Sequence, residues 1–338
     1  MNQTSTIIST PPREAGTEDA EELAAESELR LLEMGVPSHG CRIDKALSEQ
    51  VSEFSRSYLQ QLLEQGCVRL NGAVVAKASH KVKAGDQIAV ELRPTQQSQA
   101  FRPEAMALDV VFEDAHLMVI HKPAGMVVHP APGNWSGTLL NGLLAYAPEF
   151  SLVPRAGIVH RLDKDTSGLM VVAKHREAMD ALVAAIAART VSRQYLALAP
   201  GLWQGATQRT VEAPIGRDPR NRLRMAVVDL LQHPGKAART DFALLDQSPQ
   251  GMLVRCILHT GRTHQIRVHM ASIGHPLVAD ALYGGVAAAG MQRQALHAEL
   301  LAFDHPLTGA ALRFAAPLPA DFAQALSSWG LRYNGPPG

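Results

Sequence analysis

Residues 157–174 read GIVHRLDKDTSGLMVVAK. Ile158 and Val159 lead into this stretch as a strand would, and Leu169 to Ala173 lead out as an unbroken apolar run, the pattern of a strand buried on both faces. Between them lies a polar knot, His160-Arg161-Leu162-Asp163-Lys164-Asp165-Thr166-Ser167-Gly168. The pattern predicts a short loop held on two rigid arms, where a scaffold can carry a reactive group. An Arg, a Lys and two carboxylates between positions 161 and 165 bring opposite charges close to a core, where pKa values are readily moved. On charge content alone, a surface turn with solvated ion pairs fits these residues equally well.

Upstream, residues 108–112 and 117–121 read as short strands ended by acidic or Pro/Gly turns. Apolar residues at helical spacing predict a helix over 138–146. Downstream, 177–188 reads as an Ala-rich amphipathic helix with Met179, Leu182, Val183 and Ile186 inside, and 191–198 alternates as a strand carrying Arg193 and Tyr195. RDPRNRLR, residues 217–224, holds four arginines against one acid in a loop between strands, a phosphate-binding candidate. Residues 242–245 and 253–258 are strands. GRTHQIRVH, residues 261–269, opens a helix with Thr263 as its expected cap and Gly274 as its stop. Tyr283-Gly284-Gly285 marks a turn, and 296–318 adds a last strand region. Many strands with interspersed helices and no βαβ rhythm predict an α+β fold with a mixed, mainly antiparallel sheet.

The first 38 residues are acidic and poor in large apolar side chains, and are expected to be largely disordered, with Leu29, Leu31 and Leu32 able to form a transient helix. From Cys41 the texture changes. Ile43, Ala46, Leu47 and Val51 recur at helical spacing; a second helix follows with Ser55 as N-cap and Tyr58, Leu59, Leu62 and Leu63 as its stripe. Asn71-Gly72 predicts a two-residue hairpin turn, and Ile88, Val90 and Leu92 alternate as a strand. Residues 93–105 are polar and aperiodic, a linker. The expected division is therefore a disordered leader (1–38), a small α/β domain (39–92), the linker (93–105) and a large domain (106–335).

With 338 residues and 46% hydrophobic content, the chain can bury a sizeable core. Its net charge is zero, but residues 1–39 carry eight acids and two bases, so the remainder is mildly basic, which permits contact with phosphates. Cys41, Cys67 and Cys256 show no metal-ligand spacing and read as reduced, which suits a cytoplasmic protein. No apolar run approaches a membrane span, and no membrane partner is expected.

HRLDKDTSGL resembles the signature of the RluA-type pseudouridine synthases. Arg193-Gln194-Tyr195 and GRTHQIRVH resemble that family's other motifs, in the same order, and RIDKAL followed by SRSYLQQLLEQGCVRLNG resembles the S4 RNA-binding module. The resemblance implies a pseudouridine synthase fold behind an S4-like domain and a cofactor-free, metal-free isomerase acting on uridines of 23S ribosomal RNA, alone or within the precursor of the 50S particle, as a monomer. It implies that Asp163 is the catalytic aspartate, that Arg267 pairs with it and keeps it ionised, that Tyr195 stacks on the base and is a candidate for the C5 proton, and that Arg161 fills the space left by an everted nucleotide. His160, Arg262, Arg217, Arg220 and Arg222, with Arg42, Lys45, Arg56 and Arg69 of the first domain, are the candidate RNA contacts. Residues 121–125 (HKPAG) and 128–130 (VHP) resemble loops of the family that line the substrate side.

Other readings fit less well. Asp163 and Asp165 as a glycosidase pair would lie ~7 Å apart on a strand or diverge on a helix. His259, His264 and His269, spaced by five, align on neither helix nor strand, so a metal site is disfavoured against structural histidines. A non-catalytic S4-type RNA-binding protein remains as the alternative, against which Asp163, Tyr195 and Arg267 all stand intact.

Overall fold

The computed structural model describes residues 28–52, 54–92, 98–131 and 133–336, so most of the acidic leader and the first part of the expected linker lie outside the described residues. The chain divides into two compact units, residues 1–99 and 100–338.

In the first unit, strands β1 (Glu28–Glu33), β2 (Val68–Leu70), β3 (Ala73–Val74) and β4 (Gln87–Leu92) form an antiparallel sheet in the order β1-β4-β2-β3. It is backed by helices α1 (Ile43–Gln50) and α2 (Arg56–Glu64). Ser55 caps α2 by accepting the Tyr58 amide, and Asn71 and Gly72 both take positive φ, 48° and 85°, as a tight hairpin turn requires. Ile43, Leu47, Leu59, Leu63, Ile88 and Val90 close the core. The expectation for Leu29, Leu31 and Leu32 is corrected: they belong to β1, an edge strand paired in full with β4, which buries Leu32 and leaves Leu29 and Leu31 about half exposed. Pairing along the backbone, not a buried helical stripe, orders this segment.

The second unit is built on a nine-stranded sheet: β5 (Val110–Glu113), β6 (Leu117–Lys122), β7 (Ser167–Ala173), β8 (Ser192–Pro200), β9 (Gln208–Glu212), β13 (Arg239–Gln247), β14 (Gly251–Leu258), β15 (Leu296–Asp304) and β16 (Ala311–Ala315). The order is β5-β6-β7-β15-β8-β14-β13-β9, with β16 pairing β15, and only β7 against β15 is parallel among the described pairs. β10 (Ile215–Arg217), β11 (Met225–Val227) and β12 (Gly235–Lys236) form a separate small sheet. Helices α3 (Leu139–Tyr146), α4 (Arg176–Ala187), α5 (Gln265–Ser272) and α6 (Ala320–Ser328) pack around this framework. The fold is α+β and mainly antiparallel.

Every residue of β7 is buried, as its apolar run predicted. Its expected partner arm is shorter: Ile158 makes one isolated bridge to Val172, after a turn in which Arg155, Ala156 and Gly157 all take positive φ. The latter part of the expected linker is not free either. The Asn141 side-chain amide donates to the Ala100 and Arg102 carbonyls, and the Glu104 carboxylate accepts the Gly137 amide.

Candidate active site

Two glycines pin the polar knot against the sheet. Gly157, φ 72°, lies where a side chain would run into the Ala173 carbonyl; Gly168, φ 122°, lies where one would run into Ala298 of β15. Between them the loop is tied down from several directions. The Lys164 carbonyl accepts from the Gly125 amide at 2.9 Å and from Lys122 Nζ at 3.0 Å, Arg293 Nη1 donates to the Asp165 carbonyl at 2.9 Å, and Gln294 Nε2 donates to Thr166 Oγ1 at 3.3 Å.

This corrects the expectation for Lys122. Its side chain is buried and donates to the carbonyls of Pro123, Met126 and Lys164, so it braces the loop and does not line the cleft. Burial pulls its ammonium down to about 8, against the charges of Asp165 and Asp163.

Asp163 is held by Arg267 of α5. Arg267 Nη1 donates to Asp163 Oδ2 at 3.0 Å, while its Nε and Nη2 grip the buried carboxylate of Asp280 at 2.7 and 2.8 Å. Its guanidinium also lies 5.1 Å from the centroid of the Tyr283 ring. Burial opposes the charge on Arg267, but the Asp280 bond, reinforced by Asp163, raises its pKa above the ordinary arginine value. The cation therefore stays charged while partly enclosed.

The other carboxylate oxygen, Asp163 Oδ1, lies 3.8 Å from His264 Nε2. Tyr283 accepts the Met225 amide at 3.1 Å, and its hydroxyl lies 2.8 Å from His264 Nδ1, which fixes the ring beside the acid. Burial keeps His264 below its usual pKa and hence neutral. His264 precedes α5 with φ 56° and makes no side-chain cap, so the Thr263 cap is corrected: Gln265 ties this end instead, accepting from the Arg262 amide and the Thr260 hydroxyl.

Asp163 opens into a cleft of about 430 Å³ that Tyr195, Arg161, His160, Arg262 and Arg267 also line. Tyr195, on β8, is buried, and burial pushes its phenol up to about 12. As a proton acceptor such a group must first lose its own proton.

A profile described as RNA pseudouridylate synthase matches residues 116–272, and an S4 domain profile matches 41–88. A ribosomal large subunit pseudouridine synthase D of Neisseria meningitidis serogroup B is 47% identical over 319 residues, covering 90% of this chain and 83% of its own. A protein of the same name from Nitrosomonas europaea is 46% identical over 320 residues, covering 92% and 91%. The chain belongs to the RNA pseudouridine synthase family. Among solved structures, human RNA pseudouridylate synthase domain containing 1 is similar at 27% identity with a TM-score of 0.51, over 64% of this chain and 87% of the other.

The candidate RNA contacts of this synthase fall into three groups. Arg161 is exposed in the cleft; Arg262 lines it while Nε donates to the Ala237 carbonyl at 3.1 Å. His160 also lines it, but its Nε2 is turned to the sheet and accepts the Val171 amide at 3.1 Å. Arg217, Arg220 and Arg222 are exposed on the hairpin between β10 and β11, whereas Arg224 folds back onto Asp218 at 2.6 Å.

In the S4 unit, Lys45 and Arg69 are exposed, but Arg42 and Arg56 both donate to buried Asp44. Their guanidiniums bond that acid while their side chains stay about half exposed. Of the three histidines, His259 pairs with Asp241 at 2.6 Å and His269 bridges Thr240 and the Ala213 carbonyl. No group of three or more His, Cys, Asp or Glu is placed to hold a metal among the described residues.

Sequence reasoning missed Asp280, His264 and Tyr283 as parts of the site. Asp280 carried a signal, being the one charge in the apolar run PLVADALYGG.

Proposed function

We propose that this protein converts specific uridines of 23S ribosomal RNA to pseudouridine, with Asp163 as the catalytic aspartate. The C1′–N1 bond breaks, the base turns over, C1′ joins C5, and the proton lost from C5 is balanced by one gained at N1. The isomerisation requires no redox agent and no net water. One observation carries the reading: a cleft-facing carboxylate with one oxygen bound to a buried arginine and the other open. Arg267 acts through Asp163, and Asp280 and Tyr283 act through Arg267. Tyr195 packs its ring against the base, and Arg161 stands where it can enter the gap left when the nucleotide is everted.

The S4 unit, taken as 39–92, adds affinity for RNA, and the catalytic domain spans 106–335. The chain works as a monomer, in the cytoplasm, on the ribosomal RNA or on the precursor of the large subunit. No helix among the described residues is long and apolar enough to cross a membrane. The names of the relatives support the enzyme over a non-catalytic RNA-binding protein.

Chemical mapping of pseudouridine in ribosomal RNA tests this. A strain lacking the protein is expected to lose specific sites, restored by the wild-type chain and not by Asp163→Asn. An unchanged map in the deletion strain refutes the reading.

A further inference from the structure

Two buried donors in the cleft have no acceptor. Arg193, on β8 two residues before Tyr195, is only 5% exposed, and among the described residues its side chain forms no ion pair and no hydrogen bond; its Nε is sealed from solvent without a partner. His160 is the second. Because its Nε2 accepts the Val171 amide, the ring proton sits on Nδ1, which is likewise sealed and unpaired. Both side chains line the same cleft as Asp163 and Tyr195.

The surroundings make the deficit sharper. Arg155, Arg161, Arg189, Arg262 and Arg267 line the cleft as well, against a single carboxylate, Asp163, already bonded to Arg267. Gly261 lies against the Arg193 guanidinium: a Cβ there would sit 2.9 Å from Nη1 and crowd it. A buried cation without a counter-charge is strongly unfavourable and persists where a ligand supplies the missing anion.

We infer that the Arg193 guanidinium, through its terminal nitrogens, seats one phosphodiester of the RNA, the linkage flanking the everted uridine, and that His160 Nδ1 joins it once the linkage displaces what seals that atom. A phosphate brings the full negative charge that Arg193 lacks and separate non-bridging oxygens for the two donors; a uracil carbonyl brings neither. His160 suits the part of a neutral donor, since burial and the nearby charge of Arg193 push it down to about 3. The inference rests on the RNA reading of the cleft.

Thermal melting of the full chain, with inorganic phosphate as the probe at constant ionic strength, reads the seat directly. Wild type is expected to gain several degrees with phosphate. Arg193→Met is expected to melt higher than wild type without phosphate, its unpaired charge gone, and to lose most of the phosphate-dependent rise. A variant that melts lower and keeps the full rise overturns the assignment.

Gly261→Ala, which keeps the charge and displaces the guanidinium, guards against misfolding of the first variant; it is expected to weaken phosphate binding at least tenfold. With an RNA substrate, a neutral methylphosphonate at the flanking linkage is expected to lower kcat/KM at least tenfold for wild type and to add nothing to the loss already shown by Arg193→Met. Equal sensitivity in both proteins overturns the proposal and points to the base. The phosphate titration reads the seat and the pseudouridine map reads the reaction, so the two fail separately.

Discussion

Asp44 in the first unit and Asp163 in the second both meet arginine, and end in opposite situations. Asp44 is fully buried and saturated: Arg42 and Arg56 each donate through Nε and Nη2, Gln60 Nε2 donates at 2.7 Å, and the Lys45 amide adds a further bond. Burial works to raise its pKa, but the bonds from Arg42, Gln60 and Arg56 outweigh it and hold the group well below the usual carboxylate range. Asp163 takes one guanidinium bond and leaves Oδ1 to the cleft. The first acid is a tie between two helices. The second is left short of partners, Asp280 having taken the rest of Arg267, as the catalytic role proposed for it requires.

The sharpest way to break this contrast is Asp163→Asn, expected to cut isomerisation roughly 10³-fold or more while the melting temperature stays within a few degrees; single-turnover kinetics with retained activity would return Asp163 to the status of Asp44. Asp280→Asn should come next. It frees Arg267 from its bidentate anchor, and kcat is expected to fall about 100-fold with a smaller change in KM. Asp44→Asn should do the reverse, lowering stability in chemical denaturation by roughly 2 kcal/mol without altering kcat; the half-exposed arginines can rehydrate, which keeps the loss modest.

Arginine use can be compared in the same way through the salt dependence of RNA affinity. Replacing Arg220 or Arg222 should reduce the slope of log K against log salt by about 1 each. Replacing Arg42 should leave the slope unchanged, and an equal reduction would mean that Asp44 does not hold this arginine back from RNA.

A last contrast concerns pH. His160 and His297 are pushed down to about 3 and about 4, chiefly by burial. The folded chain therefore binds fewer protons than the unfolded chain below pH 6.5, and stability present above that pH is lost as pH falls toward 4. The loss is at most about 1.4 kcal/mol per pH unit for each group. A flat denaturation midpoint between pH 7 and 4.5 would contradict it.

Local chemistry was legible in the sequence and long-range partnership was not. Ser55, Asn71-Gly72 and the apolar run of β7 announce a cap, a turn and a buried strand, because each acts over a few residues. The segment ELRLLE misleads because an edge strand with two half-exposed leucines shows neither a clean alternation nor a helical stripe. His264 hides in a helical pattern although its own backbone is left-handed. The pairing of Asp163 with Arg267 spans 104 positions, and only the resemblance suggested it; spacing alone cannot. The commitment of Arg42 and Arg56 to Asp44 was invisible for a related reason, since composition counts charges without saying what neutralises them.

The parallel pairing of β7 with β15 sets an order of events in the making of this protein. Asp163 is made near the middle of the chain, but Arg267, Asp280, Arg293 and β15 follow more than a hundred residues later, so over that interval the acid has no partner. Such distant contacts form slowly and together. A chain cut before residue 296 lacks β15, the strand that β7 pairs with in parallel, and is expected not to hold the loop of Asp163 in place.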